Sequence, residues 1–123
     1  MSVTIIKEML GQTFCYVEDD RNENKLKFEI SGLHYFLFHH EQDCCESVVI
    51  GDIDGDLEDL TGSPITMAEV VTESGDDGNG GSHTWTFFKF ATAKGSVTVR
   101  WIGESNGYYS ESVSLRIVQE LTF

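Results

Sequence analysis

The stretch "TWTFFKFATAKGSVTVRWIG", residues 84–103, decides the fold of this chain. Both of its halves are rich in β-branched and aromatic residues and largely alternate apolar with polar side chains, which is the period of a β-strand. Residues 93–95 separate the halves, and a short connection that contains glycine is typical of a β-hairpin. Val97, Val99 and Trp101 fall on one face of the second half. The stretch therefore predicts an antiparallel hairpin with an apolar face.

Similar patterns recur along the rest of the chain. The segment "KLKFEI", residues 25–30, alternates cleanly, with Leu26, Phe28 and Ile30 on one side, and so predicts a half-buried strand. Further strands are predicted in "TFCYVED" (13–19), "HYFLFHH" (34–40), "ESVVIGDI" (46–53), "PITMAEVV" (64–71) and "ESVSLRIV" (111–118). The Gly-, Asp- and Ser-rich run from Glu73 to His83 predicts a flexible loop.

Helical patterns are short. In "SVTIIKEMLGQTF", residues 2–14, Ser2 can cap a helix and Gly11 can end it. The segment "GDLEDLTG", residues 55–62, has room for one helical turn. Consecutive strands with short turns imply an antiparallel sheet. We therefore expect a single domain over residues 1–123, of α+β class and mostly β. Its six to eight strands would form a curled antiparallel sheet with one short N-terminal helix.

Charge and composition limit the function classes. Lys and Arg number 8 against 21 Asp and Glu, so the formal net charge is −13. Such a surface repels nucleic-acid phosphates, which argues against direct nucleic-acid binding, and it favours cationic partners or imitation of nucleic-acid charge. The sequence has no long apolar run and no basic, signal-like start, and the cysteine count of three is odd. These features predict no membrane contact and a cytoplasmic protein.

The segment "HHEQDCCE", residues 39–46, contains two histidines, two cysteines and three acidic residues, all of which can bind metals. A zinc site would take one of His39 or His40 and one of Cys44 or Cys45, because adjacent strand residues point to opposite faces. Glu46 is another candidate ligand. The remaining ligands would come from His34, His83 or Cys15. The spacing matches no standard zinc motif, and we expect no metal and no cofactor.

The two adjacent cysteines allow other interpretations. They could form a vicinal disulfide, or act as a nucleophile beside a histidine, but the acidic neighbours Asp43 and Glu46 oppose a thiolate. Buried, structural cysteines are the favoured interpretation, because free cysteine is among the most buried residue types. The nearby acidic run with Asp52, Asp54 and Asp56 does not fit a calcium loop, because glycine stands fourth rather than sixth.

A second polar corner lies in "RWIGESNGYYSES", residues 100–112. It places a guanidinium, an indole, an amide and two phenols close together, which suits recognition of a planar or anionic group. The alternative is a turn whose aromatic side chains pack in the core. A weak internal echo connects the two corners, since "CESVVI" (45–50) resembles "SESVSL" (110–115). If the echo is structural, both loops precede equivalent strands and face one site.

The long stretches 38–69 and 84–113, which contain these corners, resemble a family of small proteins found mainly in bacteriophages and prophages. Its markers are matched here by Phe38 and His39, by "HEQDCCE" (40–46), and by a WxGxSNGYYSE pattern from residue 101. The resemblance implies a short, dispensable protein expressed inside a bacterium. Many such proteins counter host defences by blocking an effector or sequestering a signal. No catalytic residues follow from the resemblance.

The sequence thus favours a non-catalytic binding protein for a small polar ligand or a host protein. An acidic nucleic-acid mimic that inhibits a host DNA- or RNA-binding protein and a zinc-dependent protein are the alternatives. Homo-oligomerisation stays open, since strand edges favour pairing and acidic charge opposes it. The predicted ligand-binding residues are His39, Gln42, Asp43, Glu46, Arg100, Trp101, Ser105, Asn106, Tyr108 and Tyr109.

Overall fold

A computed structural model describes residues 3–31, 34–76, 78 and 80–119. Its elements are eight β-strands and two 3-10 helices in the described part of the chain. The strands are β1 (Tyr16–Asp20), β2 (Lys25–Ser31), β3 (His34–His39), β4 (Ser47–Asp54), β5 (Met67–Asp76), β6 (Ser82–Thr92), β7 (Gly95–Ser105) and β8 (Ser114–Gln119), and the helices are Val3–Met9 and Leu57–Leu60.

The strands form two four-stranded sheets. The first has the order β1-β2-β3-β8 and the second the order β4-β7-β6-β5, and every pairing is antiparallel. The predicted hairpin is confirmed, because β6 and β7 pair from Ser82 opposite Ser105 to Thr92 opposite Gly95. The strand "HYFLFHH" lies inside its sheet, between β2 and β8, as its apolar middle predicted.

Phenylalanine rings of the two sheets meet in the core. Phe38 of β3 packs edge-on against Phe88 of β6, with ring centroids 4.7 Å apart. Phe28 of β2 lies 4.9 Å from Phe90 of β6. All four rings are fully buried. These contacts across the gap between the sheets hold the molecule together as a two-layer β structure.

The predicted mostly-β, antiparallel character is confirmed, and the finer architecture differs from the prediction. Two separate sheets replace the single curled sheet, and the N-terminal element is a seven-residue 3-10 helix instead of an α-helix. Adjacent β-branched residues such as Ile5 and Ile6 lower the α-helical propensity of so short a segment. Gly11 does adopt the left-handed conformation expected of a helix stop (φ 82°). Ser2, the predicted cap, lies outside the described residues.

The second helical turn, Leu57–Leu60, is present as predicted and begins at Asp56, whose carboxylate accepts a hydrogen bond from the Glu58 N–H (3.0 Å). Both helices are short. In the described part of the chain, no helix has the length and apolar character that a membrane crossing requires.

The loop predicted from Glu73 to His83 is largely strand. β5 continues to Asp76, and Gly75 pairs with His83 and Asp76 with Ser82 on β6. Backbone pairing between neighbouring strands does not depend on apolar side chains, so the polar composition concealed the strand. As a result, polar side chains of β5 and β6 extend beyond the core and are available to build a site.

Candidate binding site

Glu46 organises the loop that carries "HHEQDCCE". Its side chain is buried, immediately before β4. One carboxylate oxygen, Oε1, accepts a hydrogen bond from the Cys44 N–H (2.9 Å), and Oε2 accepts one from the Asp43 N–H (2.8 Å). His40 Nε2 lies 2.7 Å from Oε2. The backbone N–H of Cys44, followed by the bond to His40, lowers the pKa of Glu46 to about 2.

Three further hydrogen bonds fix this loop. His40 Nδ1 lies 2.7 Å from the carbonyl oxygen of Ser112, so the histidine connects the loop to the segment before β8. The Gln42 side chain donates hydrogen bonds to the carbonyls of Glu46 (2.6 Å) and Cys44 (3.2 Å). Gln42, Asp43 and Glu46, predicted as ligand contacts, therefore shape the loop through hydrogen bonds within it.

The cysteines of this loop are exposed, and their sulfur atoms form a vicinal disulfide. The expectation of buried, structural cysteines is therefore wrong. The buried position in the loop belongs to the Glu46 side chain, which leaves Cys44 and Cys45 at the outside of the turn. Cys15 is free and exposed, and its thiol donates to the Glu29 carbonyl (3.3 Å).

Glu111 plays a similar part in the second corner. Its Oε1 accepts a hydrogen bond from the Thr84 hydroxyl (2.8 Å). Its Oε2 accepts hydrogen bonds from the hydroxyls of Ser82 and Ser105. Burial raises the pKa of Glu111, but the three hydroxyl donors outweigh it and leave the pKa below its usual value. The carboxylate thereby ties the segment before β8 to β6 and to the end of β7.

These anchored segments border two neighbouring recesses. The first, of about 440 Å³, lies between β5, β6 and residues 109–113. Seven serine and threonine residues line it, and these are Thr72, Ser74, Ser82, Thr84, Thr86, Ser110 and Ser112. The second recess, of about 340 Å³, is lined by Cys45, Ser47, Glu104, Ser105, Asn106 and Tyr109. Tyr109 lines both, so the two sequence corners meet here, with Cys45 opposite Asn106 and Tyr109.

The structure brings only some of the predicted ligand contacts to the recesses. Ser105, Asn106 and Tyr109 line them. Tyr108 is 80% exposed at the tip of the turn, with its ring edge-on to Tyr109 (centroids 5.0 Å apart). Trp101 is fully buried in the core, which its position on the apolar face of β7 explains.

Arg100 and His39 lie elsewhere. Arg100 alternates with Trp101 and so faces outward from the second sheet, where it pairs with Asp52 (2.8 Å) and lies over the Trp85 ring. His39 ends β3 and is partly buried. Burial and then nearby Arg116 lower its pKa. Neither residue lines the recesses, because side chains on successive strand residues face opposite sides.

The metal interpretation gains no support from the arrangement of side chains. In residues 3–31, 34–76, 78 and 80–119, no three His, Cys, Asp or Glu side chains are grouped to hold an ion. Both ring nitrogens of His40 are bonded to protein oxygens. His39 is the last residue of β3, and His40 belongs to the loop that follows it.

Sequence reasoning missed Glu111 and the hydroxyl groups of β5 and β6. A signal existed in the echo between residues 45–50 and 110–115, because it aligns Glu46 with Glu111. Val48 and Val113, the next apolar residues, are both buried. The echo therefore marks two equivalent carboxylate anchors, each just ahead of a strand.

Comparison with known proteins places the chain in a family. The family described as "Domain of unknown function (DUF7448)" matches residues 7–115, which is most of the chain. The comparison with curated proteins found no match, and neither did the comparison with solved structures.

Proposed function

The chain belongs to the DUF7448 family, and we propose that it is a non-catalytic binding protein whose ligand occupies the paired recesses. The observation that carries the proposal is that two anchored segments meet at two adjoining recesses, which Cys45 of the first segment and Tyr109 of the second help to line. A concave site with several convergent polar groups is the usual form of a small-ligand site. Its walls are built on strands and braced by two carboxylates, which is the preorganisation that binding requires.

The chemistry of Glu111 argues against a hydrolytic role for this site. A serine nucleophile needs a neighbouring base that takes its proton. Glu111 is the carboxylate beside Ser82 and Ser105, and its pKa is lowered by their hydroxyl groups. A base of lowered pKa takes up a proton poorly at neutral pH. The same bonds suit a fixed recognition surface.

We place this activity inside a bacterial cell, as a phage or prophage product. This part of the proposal rests on the resemblance of the "HEQDCCE" and "GYYSE" regions to phage proteins. Counter-defence by sequestering a small signal molecule or by occupying a host protein follows as the biological role. Both versions use the same recess, because either a metabolite or a protruding side chain of a protein could enter it.

The test is thermal unfolding in the presence of fractionated host metabolites, including cyclic and adenine-derived nucleotides. A ligand at 100 times its Kd should stabilise the protein by about 2.7 kcal/mol. Thr72→Trp should fill the first recess and abolish the shift, since Thr72 is an exposed residue of its wall. Val71→Trp is the matched control, because Val71 is exposed on the opposite face of the same strand.

For the protein version, co-purification from host cells should be lost with Thr72→Trp and kept with Val71→Trp. If no metabolite fraction raises the melting temperature and no partner distinguishes the two variants, the proposal fails in both versions.

An acidic mimic of nucleic acid is the second candidate. Asp54, Asp56 and Glu58 are exposed in succession along the end of β4, the outer strand of its sheet, and the turn after it. Such a row of carboxylates could occupy a cationic groove of a host protein. Binding should then weaken steeply between low and high salt, and a triple Asn/Asn/Gln variant should lose it. Salt-insensitive binding would exclude this candidate.

A further inference from the structure

Three hydroxyl groups at the two recesses donate their hydrogens to one carboxylate, that of Glu111. Ser82, Thr84 and Ser105 each have a single hydroxyl hydrogen, and each donates it to the Glu111 carboxylate. The Ser74 hydroxyl lies 3.0 Å from Thr84 Oγ1. Because the Thr84 hydrogen is already committed, Ser74 must be the donor in that bond.

Hydroxyl groups arranged in this way can only accept further hydrogen bonds. Ser105 Oγ accepts such a bond already, from the Gly107 N–H (3.0 Å). A ligand that meets Ser82 or Thr84 must therefore supply the hydrogen. A ligand that offers only oxygen acceptors would face lone pairs, and its desolvated oxygens would stay unpaired.

The charge around the recess also favours a ligand that donates hydrogen bonds and carries a positive charge. Glu111 is held in its ionised form by its donors. Glu104 lines the adjoining recess, and among the described residues that line either recess there is no lysine or arginine. His83 also lines the first recess, with its ring against Gly75. Tyr109 lines both recesses, and its ring adds an aromatic face that attracts cations.

We infer that the first recess takes a cationic ligand group, a primary ammonium or a guanidinium, as found on a polyamine or on a lysine or arginine side chain. This inference rests on the proposed binding function and specifies its ligand class. Both groups consist of donors without acceptors, so they complement a wall of acceptors around an ionised carboxylate. Nucleotides and other anions are the disfavoured class.

The experiment uses probes matched in length that differ in charge. ¹H–¹⁵N NMR titration of the protein compares 1,4-diaminobutane with 1,4-butanediol and with succinate, and agmatine supplies the guanidinium. The diamine and agmatine should shift the signals of residues 82–86 and 109–113, while the diol and succinate should not. Because a chain of net charge −13 attracts cations everywhere, two lysine variants must separate the recess from general attraction.

Thr72→Lys places an ammonium in the recess, and Val71→Lys makes the same change in net charge on the outer face. Thr72→Lys should weaken diamine binding by about tenfold or more through like-charge repulsion. Val71→Lys should change it by less than about twofold. Equal weakening by the two variants would mean diffuse electrostatic attraction and would overturn the inference.

Other outcomes separate this inference from the proposed function. If succinate or the diol moves the recess signals as much as the diamine does, the recess is a binding site but its assigned ligand class is wrong. If neither the charged probes nor metabolites move those signals, both the inference and the proposed function fail.

Discussion

Glu46 and Glu111 are acidic side chains in a chain that already carries a large negative charge. Glu46 is buried and Glu111 is partly buried, and each accepts several hydrogen bonds. A buried carboxylate is stable only where hydrogen bonds replace its water shell. The donors to Glu46 lie within its own loop, whereas the donors to Glu111 come from β6 and from the end of β7. Glu46 therefore fixes the shape of its loop, and Glu111 joins the segment before β8 to the second sheet. Glu111 itself lines the first recess, and Glu46 fixes the loop whose Cys45 lines the second.

Glu46→Gln should remove an acid-dependent part of the stability. The pKa of Glu46 in the folded protein, about 2, lies below the value of about 4.3 expected in the unfolded chain. The carboxylate therefore stabilises the fold above that unfolded value, and this contribution is lost as the pH falls toward 2. Urea denaturation of wild type and Glu46→Gln between pH 7 and pH 2 should show a difference that shrinks in this window.

The comparison needs a control because other carboxylates also titrate. Glu41 is exposed in the same segment, so Glu41→Gln should track the wild type throughout. A constant difference between wild type and Glu46→Gln at all pH values would contradict the assigned pKa.

Secondary-structure elements also pack against each other where their backbones come close, as β7 and the segment before β8 do. Gly103 near the end of β7 lies against residue 111, and a Cβ added there would come within 2.6 Å of the Glu111 carbonyl oxygen. The segment before β8 can cross β7 only because this position lacks a side chain. This contact holds Glu111, which lines the first recess, against the second sheet.

Gly103→Ala should destabilise the protein by about 1–3 kcal/mol, because backbone atoms must move to accommodate the methyl group. Gly51→Ala is the matched control: it lies on the neighbouring strand and its added Cβ would meet atoms at ordinary contact distances of 3.6 Å and beyond. Chemical denaturation should show a loss for Gly103→Ala and little change for Gly51→Ala. Equal stability of the two variants would contradict the close approach.

The disulfide in the loop of residues 40–46 determines how many cysteines can react with a thiol reagent. Cys44 and Cys45 are joined, and Cys15 is free and exposed. Protein purified without reductant should therefore react with a thiol reagent such as Ellman's at one site, Cys15, in the native state. After reduction and unfolding all three cysteines should react. Three reactive thiols before reduction would show that the vicinal pair is open.

At the scale of the whole molecule, stability depends on aromatic contacts between the two sheets. Phe38 touches Phe28 within its own sheet and Phe88 and Phe90 of the other sheet. Removing this ring opens a cavity at the centre of the core, which the neighbours can fill only partly.

Phe38→Ala should reduce the free energy of unfolding by about 3–5 kcal/mol. Tyr16→Ala is a suitable control, since Tyr16 is 51% exposed and should change stability by about 0.5 kcal/mol or less. Denaturant titration measures both. A small effect at Phe38 would mean that the two sheets do not share one core.

Local strand formation could be predicted from the sequence because alternation is a property of neighbouring residues. The alternation in "KLKFEI" and "GSVTVRW" predicts both that these segments are strands and which of their faces is buried. The same reasoning failed for residues 73–83, where backbone pairing with β6 overrides polar composition. It also failed for Cys44 and Cys45, because Glu46 occupies the buried position that the thiols were expected to fill.

Residue order alone predicted six to eight strands, the β6–β7 turn, the acidic charge and the polar character of two corners. The tertiary structure alone decided that the strands divide into two sheets, because strand order depends on pairing between distant segments. It also decided which polar side chains face a common recess. Alternation along β7 puts Arg100 on the outer face and puts Trp101 and Ser105 on the opposite face. Trp101 lies in the core, whereas Ser105, at the end of the strand, lies at the recess.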